Sequence, residues 1–186
     1  MMNEQSNNRK YIRNIIIFLI IIGGYTLFTR AFKAQTTEEL WNSAWTTSSF
    51  EEPSIMLDLP VKLEEISSSD EPTQSYGFES RHISITLNTL KFRDDLEITV
   101  GELASRHFEK FSSLMNFKNS EVKHEMQENP AINVLTGTLT LDNQKYQMTH
   151  FCVQKGTTYY IIFIYFKDGD EYGRKIKDRI ISSVKV

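Results

Sequence analysis

A single cysteine, Cys152, is all that 186 residues provide, so the chain has no intrachain disulfide, no cysteine-based zinc site and no CxxC redox pair. The setting of Cys152, within residues 148–153, reads as a strand, and the thiol is expected to be a buried small hydrophobe. Motifs of nucleophilic and nucleotide chemistry are missing too: the sequence has no GxSxG, no P-loop and no GxGxxG. Its four histidines, His82, His107, His124 and His150, fall on different expected elements, and none forms HxH, HExxH or a His–carboxylate pair at ligand spacing. His107 borders an apolar stripe and is expected to be packed, whereas His82 is expected in solvent on a polar strand face. Asp168, Asp170 and Glu171 lack the alternating oxygen ligands of a calcium loop, and a helix cap accounts for them. The serines at 67–69 and at 112–113 have no partnered histidine. The expectation is therefore a non-enzymatic protein with no catalytic, cofactor-binding or metal-binding residue. A small envelope hydrolase or metal-dependent enzyme is the alternative, if its residues converge only in the fold.

The net charge of −3 conceals an asymmetry. Arg9, Lys10, Arg13, Arg30 and Lys33 precede Gln35, against one acid, Glu4, which leaves 16 basic and 23 acidic residues in the remainder. An acidic body without a basic, aromatic-laced stripe lacks the footprint needed for a phosphate backbone, so nucleic acid is excluded as a partner.

Residues 15–28 form a largely apolar run with no face reserved for water, unlike the amphipathic stripe of a soluble helix. Spanning the hydrocarbon takes about 20 residues, which Tyr11, Ile12 and Asn14 supply by extending the helix while Arg13 and Arg30 reach the headgroups. Three basic residues before the run and two after it favour an N-terminus inside and a domain outside the cytoplasm. A cleaved signal peptide has a similar layout and would release a secreted soluble domain. Phe32 breaks the small-x-small pattern before Ala34, however, and no cysteine follows for a lipobox. The reading is a short basic segment at 1–13, a single-pass transmembrane anchor at 14–30 held by membrane lipid, a linker at 31–44 and one domain at 45–186.

Beyond the anchor, Thr36 and Glu39 have capping-box spacing, and Leu40, Trp41, Ala44 and Trp45 would share one face of a short helix. The two indoles suit either a bilayer interface or the edge of the domain core. Residues 55–59 read as a strand stopped by Pro60. In the next extended stretch Ile83, Ile85 and Leu87 alternate with His82, Ser84, Thr86 and Asn88, implying one wet face; the apolar phase changes before Leu90, which predicts a bulge or strand end near Asn88. Thr99 and Glu102 form a second capping box, followed by Val100, Leu103, Ala104, His107, Phe108, Phe111, Leu114 and Met115 at helical spacing. Strands are expected at 121–126, 131–141, 145–154 and 157–166, with hairpin turns at Asp142-Asn143 and Lys155-Gly156. The last strand is apolar on both faces and belongs mid-sheet. A closing helix after Asp170 turns Tyr172, Ile176 and Ile180 inward and offers Arg174, Lys175, Lys177 and Arg179 to the negative end of its dipole, and residues 183–186 complete the chain as a short strand.

The strand ending in Leu59-Pro60, the middle helix from Val100, the meander containing Gly137, the doubly apolar strand from Tyr159 to Phe166 and the ending from Ile180 to Val186 resemble the Mog1/PsbP-like superfamily, including its bacterial DcrB-like exported or membrane-attached modules. The resemblance implies an α+β fold, a mostly antiparallel sheet flanked by helices, and a biology of binding or assembly through a protein partner. Members of the superfamily bind a small GTPase, attach to a photosystem or chaperone a secreted effector.

Overall fold

The computed structural model describes residues 35–50, 54–66, 73–92, 98–114, 118–127, 131–141 and 143–186. The expected basic segment and anchor, the start of the linker and the loop at 67–72 lie outside these residues. Among the described residues no helix is long and apolar enough to cross a membrane.

The elements follow in the order α1 (Thr37–Trp41), β1 (Thr46–Phe50), β2 (Ile55–Leu59), β3 (Glu64–Glu65), β4 (Thr73–Glu79), β5 (Ile83–Lys91), α2 (Val100–Leu114), β6 (Lys118–Gln127), β7 (Ile132–Leu141), β8 (Gln144–Lys155), β9 (Thr158–Lys167) and α3 (Glu171–Ser183). β1 and β2 pair as a separate hairpin, and the other strands form a seven-stranded antiparallel sheet ordered β3-β4-β5-β9-β8-β7-β6. β9 occupies the middle, as its double apolarity requires, and its residues from Thr158 to Phe166 are all buried. Asn143 and Gly156 adopt the left-handed backbone (φ 61° and 59°) that closes the tight β7–β8 and β8–β9 connections.

Strand alternation sorts the sheet into two faces. On one, Ile85 and Leu87 of β5, Ile162 and Ile164 of β9, and Phe151 of β8 pack with Ile176 and Ile180 of α3, Leu57 of β2 and Leu40 of α1. α3 comes very close to β9 at Gly173, where a Cβ would stand 2.6 Å from Cδ2 of Phe166. On the other face Val100, Leu103 and Ala104 of α2 pack on Cys152, Tyr159 and Ile161, with the helix lying over β6–β8. The Thr99–Glu102 capping box sets its start, each backbone N–H being bonded by the other residue's side chain.

Four expectations are corrected. β5 continues in unbroken register to Lys91 opposite Thr158, with no bulge at Asn88. The phase change has another cause: Leu90 packs into the cluster beneath α2, whereas Ile83, Ile85 and Leu87 join the core beneath α3. Nor is the polar side of β5 wet, because Ser84 (1% exposed), Thr86 (5%) and Asn88 (0%) are buried. The short helix stops at Trp41, and Trp45 folds back so that its Nε1 donates to the Trp41 carbonyl at 3.0 Å. Finally, the last turn of α3 carries no basic residue; Arg179 stacks on the Trp45 ring at 4.1 Å and Lys175 on Tyr172 at 4.9 Å.

The segment before Trp45 is packed on the domain. Leu40 is fully buried, and Thr37 donates its hydroxyl to Asp170 at the start of α3. Burying a leucine contributes about 1.5–3 kcal/mol, which ties α1 to α3. Of the expected final strand, one bridge forms, between Lys185 and Met56.

Candidate functional site

The capped start of α2 places His107 and Phe108 one turn beyond Leu103 and Ala104 on the buried side of the helix. In β8 the alternation directs Met148, His150 and Cys152 to the same side of the sheet. Two histidines 43 residues apart thus meet: His107 Nδ1 lies 3.0 Å from His150 Nε2, with ring centroids 5.1 Å apart. One ring N–H donates to the lone pair of the other, so the accepting imidazole must be neutral. Burial, and secondarily the Lys110 ammonium, lowers the His107 pKa to about 4. His150 is held well below the usual histidine range by burial and then by His107. Burial also pushes the Cys152 thiol up to about 12, so it stays protonated. Among the described residues no group of three or more His, Cys, Asp or Glu could hold a metal ion.

An aromatic row leads from this pair to the end of the sheet. The His150 ring is 6.1 Å from Phe163, Phe163 is 5.8 Å from Tyr165, and Tyr165 meets Tyr146 edge to face at 5.8 Å. There the β4–β5 turn and the facing ends of β8 and β9 enclose a cleft of about 350 Å³ lined by Glu79, Ser80, Arg81, His82, Gln144, Tyr146, Tyr165 and Lys167. Glu79, 2% exposed, is at its floor, and Tyr165 donates its hydroxyl to the Glu79 carboxylate at 3.3 Å. Arg81 is exposed at the rim, while His82, Tyr146 and Lys167 are half-buried. An aromatic ring, a carboxylate, an amide and two cations around one opening can hold a polar ligand by both donated and accepted hydrogen bonds.

A second hollow, of about 490 Å³, lies at the start of α3. Its acids already serve the fold: Asp170 accepts from the Gly173 N–H and the Thr37 hydroxyl, and Asp168 accepts from Gln147. The sequence reading of Asp170 as a helix cap agrees with this geometry.

The structure therefore joins His107 to His150, places His82 at the cleft instead of on an open strand face, and leaves His124 on β6 with its side chain outside the described set. Sequence reasoning passed over Glu79, Tyr146, Tyr165 and Asn88. Alternation along β5 groups Asn88 with Ser84 and Thr86 on one face, but no sequence signal shows what covers that face.

No protein-family model and no curated protein matches the chain. Solved structures do. Cyanobacterial PsbP (CyanoP) from Synechocystis sp. PCC 6803 superposes over 77% of this chain and 93% of its own, with a TM-score of 0.55 at 9% identity. LpqN, involved in cell envelope biogenesis of Mycobacterium tuberculosis, aligns over 82% of this chain and 97% of its own at 11% identity, with a TM-score of 0.42 that decides nothing by itself. The antiparallel sheet with β9 at its centre, the crossing helix α2 and the terminal helix α3 together make this chain a Mog1/PsbP-like α+β fold.

Proposed function

We propose that the chain is a membrane-anchored, non-enzymatic binding or accessory module acting outside the cytoplasm, with the cleft between Glu79 and Tyr146 as its recognition surface. The observation that carries this reading is the cleft itself, an opening with mixed donors and acceptors at the end of the sheet. The apolar run at 15–28 and its flanking charges support the anchor and its orientation. Binding is favoured over hydrolysis by the state of the nucleophilic and basic groups: Cys152 is buried and protonated, and the His107–His150 pair is sealed under α2.

Crosslinking followed by pull-down from native membranes, comparing the wild type with Tyr146→Ala, tests the proposal. A protein partner held by the wild type and lost from the variant is expected. Equal capture by both would remove the cleft from the account, and recovery of the domain only as a soluble product beginning after Ala34 would remove the anchor.

A further inference from the structure

The connection between the apolar run and the domain is short. Six residue steps separate Arg30 from Thr36, the cap of α1, and fully extended they reach at most about 20 Å. A domain of this length is roughly 35–40 Å across. With the run held in a bilayer, α1 therefore cannot lie on the far side of the domain, and the surface made by α1 and the outside of α3 is turned toward the membrane. That surface has its own chemistry. Trp41 and Trp45, the chain's two tryptophans, are half-buried and meet edge to face at 5.6 Å. Arg179 lies over the Trp45 ring at 4.1 Å and Lys175, one turn earlier on α3, over Tyr172 at 4.9 Å. Both cations are exposed, and neither has an acid partner among the described residues. The nearby acids are already engaged: Lys177 pairs with Asp178, the Tyr172 hydroxyl donates to Glu38, and the Thr36 N–H donates to Glu39.

We infer that the surface of α1 and α3 rests on the bilayer that holds the anchor, with Trp41 and Trp45 at headgroup level and Lys175 and Arg179 on the phosphates of anionic phospholipids. The inference rests on the anchor reading. Indole rings favour the interface between hydrocarbon and water, and a guanidinium stacked on an aromatic face keeps N–H donors for phosphate oxygens. Charge complementarity selects the lipid: the chain from Gln35 onward has 16 basic and 23 acidic residues, so an anionic membrane repels the body as a whole and attracts it where unpaired cations gather. The consequence is orientation. A domain held by a short tether and by this surface keeps one pose on the membrane, which fixes the direction in which the cleft is presented.

Tryptophan fluorescence tests this, because both tryptophans of the chain lie on this surface. The full chain is reconstituted in phosphatidylcholine vesicles with and without phosphatidylglycerol, each containing a lipid with a spin label on its headgroup, and insertion is scored by flotation after a carbonate wash. Quenching is expected to be stronger in the anionic vesicles and to fall as salt is added. Lys175→Gln and Arg179→Gln are each expected to lower the ratio of docked to undocked domain about fivefold in anionic vesicles, at a near-wild-type melting temperature. Comparing each variant between the two lipid mixtures cancels any direct effect of Arg179 on Trp45 emission. Equal quenching in both mixtures, or quenching unaffected by salt and by both variants, would overturn the inference. Emission that follows protein density in the bilayer instead of lipid charge would also overturn it and assign the surface to a second copy of the chain. A chain that floats with the vesicles without being quenched would end the inference and leave the anchor standing, whereas a chain stripped off by carbonate would end both.

Discussion

Acid should loosen this domain through the histidine pair. The ordinary histidine pKa is 6.5, and in the folded chain that of His107 is about 4, so between these values the unfolded chain binds the extra proton. The contribution is fully present above about pH 6.5 and is lost as pH falls toward 4. A depression of this size corresponds to about 3 kcal/mol for His107, and His150 acts in the same direction. Because the rings lie 3.0 Å apart and a charge on one disfavours a charge on the other, they should titrate as a coupled pair in two steps that belong to the pair. That is a large share of the roughly 5–15 kcal/mol that stabilises a typical domain. Urea denaturation of the full chain in mild detergent at pH 7.5, 6, 5 and 4.5 measures it. Acids elsewhere also titrate, so the comparison is with the double variant His107→Leu/His150→Leu, which removes both partners at once and should be near the wild type at pH 7.5 but flatter below pH 6. A single His150→Leu deprives the His107 ring of its present partner and should cost about 1–3 kcal/mol even at pH 7.5. If wild type and double variant lost stability in parallel down to pH 4.5, the buried neutral pair would be refuted.

Three further outcomes follow from the packing. Phe163→Ala should cost about 3–5 kcal/mol in equilibrium denaturation through lost transfer energy and a cavity, whereas His82→Ala, half-buried at the cleft, should cost less than about 1 kcal/mol. Gly173→Ala should destabilise by about 1–3 kcal/mol, because the new Cβ must displace the Phe166 ring that anchors α3 on β9; an unchanged melting temperature would refute that packing. Cys152 should react with a maleimide or an aromatic disulfide only at the rate of unfolding, since its thiol is buried and raised to about 12; rapid modification of the native protein would contradict its placement.

Much of the architecture was legible before any coordinates. The Thr99–Glu102 spacing marked the start of α2, the run from Tyr159 to Phe166 marked the central strand, and Asn143 and Gly156 marked the turns, because each signal is local and has one common physical cause. Residues whose role depends on coverage were not legible. Alternation along β5 shows that Ser84, Thr86 and Asn88 share a face, but not whether water or protein lies over it. The His107–His150 contact likewise needs the crossing of α2 over β8, which no periodicity encodes. The phase shift at Leu90 shows the same ambiguity, since a change of face can mean a bulge or simply a second core cluster, and here it means the latter.

The account's central claim is that the cleft at Glu79 and Tyr146 is where this module engages its partner. A photo-crosslinking amino acid placed at Tyr146, and in a parallel sample at the exposed Lys175 on α3, tests it in native membranes. The account predicts one discrete adduct from position 146 and none from position 175; a discrete adduct from 175 alone would contradict it and move recognition to the opposite face of the sheet.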